Sequence, residues 1–149
     1  MTTQWIFAVL HLLALGIGLG AAYARSRALK GTLDDAGLGR VFLADTWWGV
    51  AGGLWIVTGV MRAFFGFGKG TDFYLGTAFF HVKLTLVFAI LVLEALPMAT
   101  LIRWRKERRA GGPVDTSKAR MLARISHAQA GIVVIIVLLA SAIARGMWR

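Results

Sequence analysis

Apolar residues occur in four long blocks along the chain, and shorter polar stretches separate them. The apolar segments run over residues of about 4–24, 44–65, 75–102 and 122–144. A helix that crosses the hydrocarbon core of a bilayer needs about 20 mostly apolar residues, and each block is long enough. The pattern therefore predicts an all-α integral membrane protein. We expect a four-transmembrane-helix bundle that forms a single transmembrane domain over residues 1–149.

The first segment could be a cleaved signal peptide or a membrane-spanning helix. Ala22-Tyr23-Ala24 resembles a signal-peptidase site. A signal peptide, however, carries basic residues before its apolar core, and no Lys or Arg precedes this one. We therefore interpret the segment as a retained helix.

Composition narrows the class of protein further. Apolar residues make up 58% of the 149 residues, charged residues 16%, and the mean hydropathy is +0.69. The absence of cysteine excludes disulfides and Cys-ligated clusters. The net charge of +10 comes mainly from residues at segment ends, where lipid headgroups and membrane topology account for it. We expect membrane lipid, and not nucleic acid, as the partner of these charges.

The distribution of positive charge also predicts topology. The two long connections, residues 25–43 and 103–121, hold eleven of the 17 Lys and Arg residues, and Arg25 is assigned to the first of them. Because cytoplasmic loops carry an excess of Lys and Arg, both connections should face the cytoplasm. The termini would then face outward (N-out/C-out), as in a multi-pass protein of a bacterial inner (plasma) membrane.

Three ionisable side chains fall inside apolar segments at matched depth near the outer side. His11 lies in the first segment, and His81 and Lys83 lie near the start of the third. Ionisable groups at membrane depth are costly, so each is a candidate for function. His81 is about 160° around a helix from Lys83, so only one of the two can share a site with His11. The structural alternative for each histidine is a hydrogen bond between helices.

Haem b is the cofactor that this arrangement suits best. His11 would be an axial ligand, and the opposite ligand would be His81 or Lys83. Arg62 and Lys69, predicted at the same outer side, would bind propionates or an anionic substrate. Copper bound by His11 and His81 is a variant, although the chain has no Cys or Met-rich motif. The predicted function is membrane electron transfer or a porphyrinogen-oxidase-like redox reaction, and whether the protein is an enzyme stays open.

Two other functions fit the same residues. One is a non-catalytic membrane module that binds lipid or a partner membrane protein and uses its histidines only for packing. The other is a proton-coupled transporter using Lys83 and Glu94. These two residues are about three helical turns apart, so they make no direct contact, and no inverted repeat supports transport. A homo-oligomer and a small hydrophobic or porphyrin-like substrate remain possible.

The order of several residues resembles a family of small four-helix bacterial membrane proteins of unknown function. The succession is Asp45, Trp48-Gly49, Thr58-Gly59, Arg62, Lys69-Gly70, Phe73-Tyr74, Phe79, Lys83, Pro97, Thr100 and Trp104. Leu10-His11-Leu12-Leu13 and His81-Val82-Lys83-Leu84 are also similar to segments of HemJ-type protoporphyrinogen oxidases and CopD-like membrane domains. The first of these likenesses implies a haem-associated histidine at His11 and a lysine at Lys83.

Overall fold

Four long helices and one short helix make up the described part of the protein. The computed structural model describes residues 2–147. Its helices are α1 (Thr2–Leu29), α2 (Asp35–Phe64), α3 (Thr71–Leu75), α4 (Ala78–Arg109) and α5 (Ala119–Ala144). The four long helices are each long and apolar enough to span a membrane. The predicted all-α class with four spans is therefore confirmed.

The long helices continue beyond the apolar segments that predicted them. The connection predicted for residues 25–43 is wrong, because α1 runs to Leu29 and α2 begins at Asp35. Hydropathy marks only the part of a helix that lies in hydrocarbon, and polar turns can extend it into the headgroup region. Asp34 caps α2 by accepting a hydrogen bond from the Gly37 amide at 2.7 Å. At the other polar connection, α4 passes through Pro97 and ends only at Arg109.

Helix α1 organises the bundle. It packs against α2 and α5, and α4 packs against α5, whereas α2 and α4 do not pack closely along their lengths. The buried face of α1 carries the small residues Ala14, Gly18 and Ala22. A Cβ atom on Gly18 would lie 3.6 Å from Cβ of Ala51 on α2. The small residues thus let α1 and α2 approach closely, and an opening is left between α2 and α4.

The two ends of the bundle differ in the segments of the chain that meet there. At one end, Gln4 Nε2 donates to the carbonyl of Gly66 at 3.1 Å, and Lys69 Nζ donates to the carbonyl of Ala144 at 3.4 Å. Both ends of the described chain therefore meet the connection between α2 and α4, and we call this the terminal end. The opposite end, the loop end, holds the α1–α2 and α4–α5 connections.

The positive-inside prediction can be tested without removing any native cysteine, because the chain has none. Single-cysteine variants Thr3→Cys and Ser117→Cys would place thiols at exposed positions of the terminal end and the loop end. We expect a membrane-impermeant maleimide to label Thr3→Cys in intact spheroplasts, and Ser117→Cys only after lysis. The reverse pattern would contradict the N-out/C-out prediction.

Candidate functional site

A single guanidinium joins all four long helices. Arg25, on α1, is completely buried. Its Nε donates to Ser126 Oγ at 2.9 Å, and its Nη2 donates to Gln129 Oε1 at 2.8 Å, so two of its hydrogen bonds reach α5. The other bonds go to Asp45 on α2 and Glu94 on α4. We call these five residues the Arg25 network.

Every N–H group of the Arg25 guanidinium donates a hydrogen bond within the Arg25 network. Nη1 is shared between Asp45 Oδ1 at 2.7 Å and Glu94 Oε1 at 2.8 Å, and Nη2 donates to Glu94 Oε2 at 2.8 Å. With the bonds to α5, five N–H groups meet five acceptors. The paired contact with Glu94 is the bidentate arrangement that makes arginine–carboxylate pairs strong and directional. Gln129 Nε2 also donates to Glu94 Oε2 at 2.8 Å.

A second arginine completes the charge balance. Arg105 on α4 lies 2.9 Å from Asp45 Oδ2, and it also donates to the carbonyl of Phe42 at 2.9 Å. With Arg105 added to the Arg25 network, the two arginines balance the two carboxylates of Asp45 and Glu94. Closer to the loop end, Arg108 binds Asp35 at 2.6 Å. Arg105 and Arg108 therefore connect α4 to α2 near the loop end.

Sequence reasoning assigned Arg25 to a solvated connection, and this assignment was wrong. The residue lies inside α1 and is ion-paired at the centre of the bundle. A usable signal was present, because Asp45 and Glu94 are acids at the edge of or within apolar segments and need a cation. The prediction that Glu94 does not contact Lys83 agrees with its pairing to Arg25.

A separate cavity lies at the terminal end, and we call it the terminal cavity. Its volume is about 360 Å³. Four of its lining side chains are basic and none is acidic. The lining residues are Ala8, His11, Leu12, Leu15, Gly59, Arg62, Lys69, Tyr74, Phe80, Lys83, Val137, Ala140, Ser141, Ile143 and Ala144.

His11 is held on the α2 side of the terminal cavity. Its Nδ1 lies 2.9 Å from Thr58 Oγ1, and that hydroxyl donates to the carbonyl of Leu54 at 2.7 Å. Because the hydroxyl hydrogen is used there, Nδ1 donates to Thr58 and Nε2 keeps a free lone pair. The ring stacks on Trp55 with centroids 5.8 Å apart. A Cβ atom on Gly59 would come within 3.2 Å of His11 Cε1, so glycine makes room for the imidazole.

The cations of the terminal cavity differ from Arg25 in having few partners. Lys69 is exposed, donates to Ala144 and lies 4.6 Å from the Phe73 ring centroid. Arg62 and Lys83 are half-buried. Within residues 2–147, neither of these two donates a hydrogen bond to, or forms an ion pair with, another side chain. Two such cations lining one cavity favour an anionic ligand.

The structure separates His81 from His11. His81 is exposed on α4, and its Nδ1 lies 3.2 Å from the carbonyl of Thr77 one turn earlier. Of the five predicted site residues, His11, Arg62, Lys69 and Lys83 line the terminal cavity and His81 does not. Of His81 and Lys83, only Lys83 therefore lines the same cavity as His11.

Two phenylalanines of α4 differ in the same way. Phe80 is buried and lines the terminal cavity, whereas Phe88 is 67% exposed and is not among the residues that line it. His127 is exposed near the loop end, apart from the terminal cavity. Over the described residues, no group of three or more His, Asp or Glu side chains is arranged to hold a metal ion.

One protein family matches nearly the whole chain. The model of the family described as "Predicted membrane protein (DUF2214)" matches residues 3–147. The chain belongs to this family. The match confirms the predicted resemblance to a family of small membrane proteins of unknown function, and with the four spans it shows a multi-pass membrane protein. Neither the curated proteins nor the solved structures include a significant match to this DUF2214 member.

The Arg25 network predicts a large loss of stability when its centre is removed. Arg25→Gln would leave Asp45 and Glu94 without their shared cation, at a cost of about 3–5 kcal/mol for breaking a buried pair. Arg27→Gln is the matched control, because Arg27 is exposed two residues along the same helix. Unfolding of both variants of this DUF2214 protein by denaturant in detergent should show a large loss only for Arg25→Gln. Equal stability of the two variants would contradict the role assigned to the network.

Proposed function

We propose that the protein binds haem b in the terminal cavity, with His11 as one axial ligand and Lys83 as the other. The observation that carries the proposal is the charge of this cavity. An imidazole with a free Nε2 lone pair shares it with Arg62, Lys69 and Lys83, and none of the described residues that line it is acidic. His11 and the uncharged amine of Lys83 would bind the metal of haem, and the cations of Arg62 and Lys69 would pair with its two carboxylates.

The residues of the terminal cavity fit haem by the chemistry of their donors. Haem supplies four equatorial nitrogens itself and takes only one or two ligands from the protein. A copper ion would take all of its ligands from side chains, and His11 and Lys83 supply only two. These two residues therefore suit haem better than copper. Thr58 would fix the His11 ring through Nδ1, as hydrogen-bonded partners commonly do for ligating histidines. Arg62 and Lys69 would bind the propionates.

Haem would supply one-electron redox chemistry at this position, and the protein would contribute binding, orientation and exclusion of water. Leu12, Leu15 and Phe80 provide apolar walls that shield the cavity. Such a protein would transfer electrons within the membrane or act as a porphyrinogen-oxidase-like enzyme. Its small hydrophobic or porphyrin-like substrate would arrive from the lipid phase. We place the protein in the bacterial inner membrane, where a homo-oligomer is compatible with its exposed apolar faces.

A lipid-binding module is the second candidate, and the unpaired Arg62 and Lys83 favour it as much as they favour haem. A phosphate headgroup could bind both cations, and His11 would then serve only its hydrogen bond to α2. The two functions differ in whether His11 is needed for the ligand. Under this alternative, phospholipid would co-purify with a colourless protein and be lost from the Arg62→Gln/Lys83→Gln variant.

The haem proposal predicts a specific pattern among three variants. The protein expressed with added haem precursor should show a Soret band, and reduction should sharpen its α and β bands. His11→Ala and Lys83→Met should each lose the bound haem or change the Soret position, because each removes an axial ligand. His81→Ala is the matched control, since His81 lies outside the terminal cavity. Absorption spectra of the purified proteins give the result.

The same spectra can contradict the proposal. A colourless protein that binds no haem on titration would remove it and leave the lipid alternative. A Soret band that disappears in His81→Ala and survives in His11→Ala would overturn the assignment of the ligands.

A further inference from the structure

A second cavity opens between α2 and α4, and we call it the cleft. It has a volume of about 240 Å³, and its walls are mostly apolar. The residues that line it are Ala14, Leu15, Gly18, Asp45, Trp48, Gly49, Ala51, Gly52, Gly53, Trp55, Ile56, Val87, Ile90, Leu91, Glu94, Met98 and Val133. Helices α2 and α4 do not pack closely where the cleft separates them.

The polar groups of the cleft are acceptors of the Arg25 network. Asp45 and Glu94 line it with side chains that keep 12% and 19% of their surface exposed. An ionised carboxylate offers about four lone-pair sites. Asp45 accepts one hydrogen bond from Arg25 and forms an ion pair with Arg105, and Glu94 accepts two hydrogen bonds from Arg25 and one from Gln129. Unused acceptor positions therefore remain on both carboxylates, while their negative charge is already balanced by arginine.

The walls of the cleft suit a flat apolar ring. Gly49, Gly52 and Gly53 form a surface without side chains on α2, and a Cβ atom on any of them would have no other atom within 4 Å. Trp48 and Trp55 are more than nine-tenths buried and add aromatic faces. The buried Nε1 of Trp55 has no hydrogen-bond partner among the described residues.

We propose that the cleft binds a quinol, meaning a neutral lipid-soluble ring with two hydroxyl groups and an apolar tail. The hydroxyl groups would donate to Asp45 and Glu94, and the ring would lie against the glycines of α2. A cationic ligand is disfavoured because Arg25 and Arg105 already neutralise the carboxylates. An acyl chain would leave the acceptors of Asp45 and Glu94 unused.

The cleft and the terminal cavity are neighbours, and each is proposed to bind a ligand of its own. Leu15 lines both of them, and Trp55 lines the cleft while stacking on His11 of the terminal cavity. The quinol proposal does not require haem in the terminal cavity. It can therefore be tested on haem-free protein, and its failure leaves the haem proposal unaffected.

Filling the cleft gives the direct test. Gly52→Leu and Gly53→Leu place side chains in open space within it, so we expect both variants to fold. Gly131→Leu is the matched control, because Gly131 is exposed on α5, has equally open surroundings and does not line the cleft. Decylubiquinol is titrated anaerobically against haem-free protein in detergent, and the rise in Tm gives a Kd. The oxidised form, decylubiquinone, is titrated in parallel.

We expect saturable binding of decylubiquinol that is retained in Gly131→Leu and weakened about tenfold or more in the cleft variants. Decylubiquinone should bind about tenfold more weakly than the quinol, because it lacks the hydroxyl donors that charged acceptors favour. Equal binding of quinol and quinone, equal binding in Gly52→Leu and Gly131→Leu, or the same Tm rise with undecane would overturn the proposal. The last result would make the cleft a groove for acyl chains.

Discussion

The buried guanidinium of Arg25 is the constraint on which the rest of the bundle depends. A charge in the centre of a membrane protein must be neutralised and fully hydrogen-bonded, and here its partners come from α2, α4 and α5. Helices in a membrane gain little from burying apolar surface against one another, since lipid is equally apolar. Apolar packing alone therefore fixes the helix positions only weakly. The Arg25 network sets the position of each helix relative to α1.

Because the Arg25 network fixes the helices near the loop end, open spaces persist between them toward the terminal end. Helix α4 is bound to α2 through the carboxylates and through Arg105 and Arg108 toward the loop end. Beyond this bridged region the two helices diverge, and the cleft and the terminal cavity occupy the gap. The balance of charge also differs between the Arg25 network and the terminal cavity. Acids and bases balance in the Arg25 network, whereas Arg62 and Lys83 face the terminal cavity without acids.

The length and hydropathy of the apolar segments were sufficient to predict the helical class and the four spans, because these depend on local sequence and bilayer thickness. The positions of ionisable residues also predicted His11, Arg62, Lys69 and Lys83 as candidates, and the structure brings all four to one cavity. Helix phase alone could not decide between His81 and Lys83, since that choice depends on how α4 is rotated against its neighbours. Arg25 was missed because it begins a polar and basic stretch, Arg25-Ser26-Arg27, which hydropathy places outside the span. Nothing local shows that Asp45, Glu94 and Gln129, far apart in sequence, converge on it.

A double-mutant cycle between Arg25 and Glu94 tests the central claim most directly. The free energy of unfolding is measured in detergent for the parent protein, Arg25→Gln, Glu94→Gln and the double variant. If the guanidinium and the carboxylate stabilise each other across α1 and α4, the double variant loses less stability than the sum of the single variants. We expect a coupling free energy of about 1–3 kcal/mol, the range found for residues in direct contact. Additive losses, within about 0.5 kcal/mol, would contradict the claim that this pair holds the bundle together.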